Sequence, residues 1–106
     1  MSRHDFSALE AHYPGIIEQM PATFTSHQFI LKLAQENQVL YIEALYDYRN
    51  SLHRGSPTPF RAVHQILSSR LNKYPSLVIR DGNDARSKDI FRQRGPPGCA
   101  RWRKRE

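Results

Sequence analysis

The stretch that decides the fold is residues 58–74, TPFRAVHQILSSRLNKY. Thr58 is placed to cap a helix, because its hydroxyl can accept a hydrogen bond from a free N–H of the first turn. Pro59 suits the first helical position, where its missing N–H costs nothing. At about 100° per residue, Phe60, Val63, Leu67, Leu71 and Tyr74 gather on one stripe. Arg61, Gln65, Ser68 and Asn72 gather nearly opposite, within roughly a 60° arc. The first stripe is apolar and belongs in a core. The second carries hydrogen-bonding side chains and no acid, unlike the mixed Glu/Lys face of an ordinary solvated helix. Pro75 ends the pattern.

Upstream, Ser51–Pro57 (SLHRGSP) is a loop by composition. Val39 to about Asn50 is amphipathic, with Leu40, Tyr41, Ile42, Leu45, Tyr46 and Tyr48. The strongest local signal is Phe24-Thr25-Ser26-His27-Gln28-Phe29. Thr25 and Gln28 have capping-box spacing, and Phe24 and Phe29 have the spacing of a hydrophobic staple. A helix is therefore expected from Ser26, with Phe29, Ile30, Leu33 and Ala34 as its buried side. The apolar phase shifts across Glu36–Gln38, which predicts two helices rather than one. Nearer the start, Ser7 and Glu10 have capping-box spacing for a short helix. Pro14 disfavours an α conformation at Tyr13, and a second short helical turn is expected over Gly15–Met20, with Ile16, Ile17 and Met20 inward.

Downstream, Leu77-Val78-Ile79 predicts a short strand, and Asp81-Gly82-Asn83-Asp84 is turn material. Ser87–Phe91 reads equally as a strand or as a capped helical turn, and Gly95-Pro96-Pro97-Gly98 as irregular chain. Ala100–Lys104 predicts a last strand, with Ala100 and Trp102 inward and Arg101 and Arg103 outward, since successive side chains alternate. The expected order is short helix, helix, helix, helix, strand, turn, strand. No internal repeat is present.

From Thr25 to Lys104 this order resembles a winged helix-turn-helix domain, in which three helices precede a β-hairpin wing. The resemblance implies a mainly α fold with a small β-hairpin: a winged-helix-like three-helix core over 25–106 and an N-terminal helical extension over 1–24, together one compact domain. It makes 59–74 the recognition helix. The wing would be 77–79, the 81–98 connection and 100–104. Two features depart from the family pattern. Ser51–Thr58 exceeds the turn of about three to four residues found in the motif, and the connection between the wing strands is long and proline-rich. The resemblance implies that Arg61, Gln65, Ser68, Ser69, Asn72 and Lys73 face a major groove. Arg matches guanine O6/N7, and Gln or Asn matches adenine N6/N7. Arg101, Arg103 and Lys104 would touch phosphate, with Lys88, Arg92 and Arg94 as weaker candidates; such contacts position a protein without specifying sequence.

Composition bears on the partner. The chain has 106 residues, 39% hydrophobic and 25% charged, with mean hydropathy −0.68. This suits one globular domain with a modest core. The net charge is +6. Residues 1–79 hold seven Lys/Arg and six Asp/Glu, whereas residues 80–106 hold nine and four, so most of the excess lies in the last quarter. A basic end on a near-neutral body points to a polyanionic partner such as DNA, RNA or acidic lipid, or equally to a solubilising tail. With the winged-helix resemblance, the expected partner is nucleic acid, DNA before RNA. The aromatic helix around Tyr41, Tyr46 and Tyr48 admits either core packing or a homodimer surface. No apolar run approaches the about 20 residues that span a bilayer. With no signal-type apolar segment near Met1 and a single cysteine, a cytoplasmic location is expected.

Catalytic chemistry is not expected. His4, His12, His27, His53 and His64 are scattered, and with one cysteine they offer no zinc-ligand spacing. His64 falls between the two faces of its helix, as a packing or boundary residue. Glu43 and Asp47 share a helix face, either as an acid–base pair or as exposed neighbours. Cys99 lies among Arg94, Arg101 and Arg103, which would lower its thiol pKa, but no base is evidently placed to activate it. No glycine-rich phosphate loop is present. The sequence thus predicts no metal, no cofactor and no small-molecule substrate. The competing expectation is an interaction or scaffold module without nucleic acid.

Overall fold

The helical core begins at Thr25. A computed structural model describes residues 6–48, 59–84 and 99–105. The Thr25 hydroxyl accepts the Gln28 N–H at 3.2 Å, and the Gln28 side-chain oxygen accepts the Thr25 N–H at 2.9 Å. This reciprocal pair satisfies donors that a helix start leaves open. Phe24 stacks on Phe29 with centroids 6.1 Å apart, so the staple forms as well. Helix α3 spans Ser26–Glu36. Asn37 interrupts it at φ −137°, ψ 53°, while its side-chain amide donates to the Leu33 carbonyl at 3.2 Å. Helix α4 then runs Gln38–Asp47, and the chain makes two helices here, as the phase shift predicts.

Two short helices precede this core, α1 (Ser7–Glu10) and α2 (Tyr13–Gln19). Both differ in detail from expectation. The N-cap of α1 is Phe6, with no side-chain cap bond. Glu10 does not close a capping box; its carboxylate lies 3.4 Å from both Arg70 Nη1 and Lys73 Nζ. Two cations brought in by the tertiary fold outcompete one local N–H. Tyr13 opens α2, with Pro14 in the first turn. The disfavoured position is held by long-range contacts. Tyr13 is fully buried, packs edge-on against Phe29 at 4.7 Å, and donates its hydroxyl to the Leu67 carbonyl at 2.6 Å.

Helix α5 spans Pro59–Arg70 and tightens into a 3-10 turn over Leu71–Lys73. Val63, Leu67 and Leu71 are fully buried and Tyr74 half-buried, so this part of the apolar stripe faces the core. The core joins these residues to Phe6, Leu9, Ile16, Ile17, Phe29, Ile30, Leu33, Val78 and Trp102. The expected Thr58 cap, the 51–57 loop and the segments 87–91 and 95–98 fall outside the described residues.

The sheet has three antiparallel strands, β1 (Thr23–Thr25), β2 (Val78–Asp84) and β3 (Cys99–Lys104), in the order β1-β3-β2. The fold is therefore mostly helical with a small three-stranded sheet. The sequence suggested only a hairpin. Strand β1 is the addition: Phe24 pairs with Trp102 from one side and Arg80 from the other. The Asp81–Asp84 segment, expected as a turn, lies within β2. Register shifts between Arg80 and Asn83, so that Asp81 and Gly82 together oppose Arg101. Gly82 sits at φ +80°, a conformation that glycine adopts without steric cost. The dipeptide that favours a hairpin turn here makes a β-bulge.

Burial pushes the Tyr13 phenol far above its ordinary value of 10.0, aided by the negative charge of Glu10. The folded state thus favours the neutral phenol. Its stabilising effect is complete below about pH 10 and is lost as pH rises further. Unfolding free energy measured between pH 8 and pH 11 is expected to fall more steeply for the wild type than for Tyr13→Phe, with an excess of up to about 1.4 kcal/mol per pH unit. Parallel curves would refute this assignment.

Candidate nucleic-acid interface

Two elements that carry expected contact residues, α5 and β3, are joined by a buried polar node. Trp102 sits in the middle strand at 2% exposure. Its indole N–H donates to Ser26 Oγ at 2.8 Å, and Ser26 Oγ lies 2.7 Å from Ser68 Oγ. Ser26 is the first residue of α3, fixed by the Thr25 cap. The node therefore joins β3, α3 and α5. Ser68, expected on the groove face, is half-buried and its hydroxyl is engaged inside the fold.

The remaining polar stripe of α5 is open. Gln65, Ser69 and Asn72 are exposed. Ser69 returns its hydroxyl to the Ile66 carbonyl at 2.8 Å. Gln65 and Asn72 lie seven residues apart, on nearly the same helical direction. Lys73 is exposed at the edge, in reach of Glu10. Glu10 also takes Arg70, whose guanidinium lies 5.9 Å over the Phe6 ring, and its carbonyl accepts the Tyr74 hydroxyl at 2.9 Å. The Arg61 side chain is outside the described set. His64 is a packing residue: it is buried, stacks on Tyr41 at 5.8 Å, and shares a 2.6 Å hydrogen bond with the Tyr41 hydroxyl. That pair fastens α4 to α5.

On the sheet, Trp102 is inward and Arg101 and Arg103 are exposed, following the alternation. Arg101 Nε donates to the Asp81 carbonyl at 2.9 Å, with Asp81 Oδ2 at 3.8 Å. Lys104 turns to the other side. Its ammonium donates to the carbonyls of Glu18 and Met20 at 3.1 Å each, at the end of α2, where a cation suits the open carbonyls. Its role is thus inside the fold. Arg105, also exposed, lies one position past the strand expected over Ala100–Lys104 and outside the expected contact residues. The 101/103/105 spacing is the signal that finds it.

Among the described residues, no group of three His, Cys, Asp or Glu is placed to hold a metal ion, and no helix is long and apolar enough to cross a membrane. Glu43 and Asp47 are both exposed on α4. No family model, curated protein or solved structure matches the chain.

Ser26→Ala is expected to cost about 1–3 kcal/mol, because it leaves a buried indole N–H without its acceptor. Ser68→Ala should cost about 1 kcal/mol or less, since the Trp102 bond survives. Urea unfolding of the two variants measures both, and equal losses would contradict Ser26 as the acceptor that matters.

Proposed function

We propose that this chain is a winged-helix-type nucleic-acid-binding module that acts on DNA before RNA. Helix α5 enters the major groove and the basic strand β3 meets the phosphate backbone. The observation that carries this proposal is the open polar face of α5 and the turn that follows it, where Gln65 and Asn72 are exposed and make no side-chain hydrogen bond among the described residues, in a stretch, 59–74, whose sequence contains no acid. Side-chain amides match the adenine N6/N7 edge, and Arg61 would add a fork for guanine O6/N7. The strand pair that follows α5 takes the place of a wing. An α-helix fits the major groove of B-form DNA, whereas the A-form groove of RNA is too narrow. The proposal includes no catalytic step, cofactor or small-molecule substrate, and a cytoplasmic location.

A second reading has its own observation. Val39, Ile42 and Tyr46 are 70%, 61% and 60% exposed and lie on one side of α4. An apolar stripe of this kind suits a protein partner or a second copy of the chain.

The test is binding to a mixed-sequence duplex across a salt series. Displacement of counterions predicts a log K against log salt slope of about −0.9 for each phosphate contacted. Gln65→Ala/Asn72→Ala should reduce discrimination between duplexes while leaving that slope in place. A slope near zero contradicts the proposal. Sedimentation of Ile42→Asp tests the second reading: loss of a dimer present in the wild type supports it, and a wild-type monomer removes the homodimer.

A further inference from the structure

We propose that the outer face of the sheet is a rail for the backbone of a nucleic-acid duplex, formed by Arg101, Arg103 and Arg105 and indifferent to base sequence. The inference rests on the nucleic-acid proposal above. It adds a contact residue, Arg105, and commits the sheet face to duplex rather than single strands.

Alternate residues of a strand share a face about 6.8 Å apart. Arg101 and Arg103 occupy such positions in β3 and are exposed. Arg105 is exposed just past the strand, where its N–H bonds to the Leu77 carbonyl at 2.8 Å and carries the extended pairing one residue further. Three guanidinium groups thus line about 14 Å of the central strand. The residues between them turn the other way, Trp102 into the core and Lys104 onto the carbonyls that end α2. The basic end of the chain is therefore split by parity, with the odd positions facing outward.

The flanks favour that anion. Thr23 and Ile79 lie on either side of Arg103, so neither neighbour in the sheet is acidic. Asp81 is paired with Arg101. Among the described residues, Arg103 and Arg105 make no ion pair. Arg101 is also held in place: its Nε is tied to the Asp81 carbonyl and its Nη2 lies over Gly82. A guanidinium already fixed loses less freedom when it binds, and its fork fits phosphate oxygens. Arg103 and Arg105, like charges on one face, repel each other until phosphates lie between them.

The same face argues for a duplex. Single-strand sites interleave cations with aromatic rings on which bases stack. The aromatic residues of this sheet, Phe24 and Trp102, are buried on its opposite side. Contacts limited to phosphate position a ligand without reading it.

The test uses the full chain, a fluorescently labelled mixed-sequence duplex, the same strand unpaired, and phosphatidylserine/phosphatidylcholine vesicles as a second source of phosphate. The variants are Arg103→Gln, Arg105→Gln and both together. Lys32→Gln is the control: it removes one charge on α3, where Lys32 pairs with Glu36. Each rail variant should reduce the steepness of the salt slope by about 1, and the double variant by about 2, whereas Lys32→Gln leaves it unchanged. Far-UV circular dichroism and thermal melts confirm that the variants are folded; both arginines are exposed. Salt-dependent wild-type binding with unchanged slopes in all rail variants overturns the rail and leaves the α5 proposal standing. Tighter binding to the unpaired strand overturns the duplex assignment. Absence of wild-type binding to either nucleic acid, with or without arginine-dependent binding to vesicles, overturns the rail together with the reading beneath it.

Discussion

The hydrogen bond from the Trp102 indole to Ser26, extended to Ser68, is the constraint on which the arrangement turns. A buried indole N–H needs an acceptor, or its lost hydration goes uncompensated. Ser26 can serve only if α3 starts where it does, and the Thr25–Gln28 box sets that start. Thr25 is also the last residue of β1, paired with Arg101 of β3. Strand, cap and acceptor are thus consecutive residues, and each fixes the next. Ser68 carries the connection to α5. Arg101 and Arg103 flank Trp102 in sequence, while Gln65 and Asn72 lie beside Ser68 on its helix. The node consequently fixes β3, α3 and α5 relative to one another, with the arginines of β3 on the sheet face opposite Trp102.

Charge is distributed around this node in a related way. The cations near the C-terminal end of α5 are drawn to Glu10, which binds α1 to the helix, and Lys104 closes the end of α2. These basic residues serve the fold. Arg103 and Arg105 are left with the sheet face, and Gln65 and Asn72 with the helix face. The positive balance of the last quarter of the chain is therefore divided between structural and outward-facing positions. A composition count cannot make that division, because it depends on the direction of each side chain.

What the sequence revealed was local. The capping box and staple at Thr25, the break near Asn37, the buried run Val63–Leu67–Leu71 and the inward Trp102 each depend on spacing over a few residues, and spacing is visible in a sequence. What stayed hidden depended on distant partners. Strand β1 has three residues and exists because β3, almost eighty positions away, pairs with it. The Asp81-Gly82 pair signals a positive φ, and whether that makes a turn or a bulge is decided by the strand opposite. Ser7 and Glu10 have capping-box spacing, yet Glu10 goes to Arg70 and Lys73, sixty residues on. Of the expected contact residues, Gln65, Ser69, Asn72, Lys73, Arg101 and Arg103 emerge exposed. Ser68 and Lys104 are engaged within the fold, and Arg105 joins through an alternation that continues beyond the strand.

The central claim is that the exposed face of α5 and the arginines of β3 engage one ligand together. Chemical-shift mapping by NMR during titration with a short DNA duplex tests it most directly. The account predicts that the side-chain amide signals of Gln65 and Asn72 and the Nε–H signals of Arg101 and Arg103 shift with a common saturation curve, while Val39, Ile42 and Tyr46 of α4 stay still. Shifts confined to α4, or no shifts at either predicted face, would contradict it.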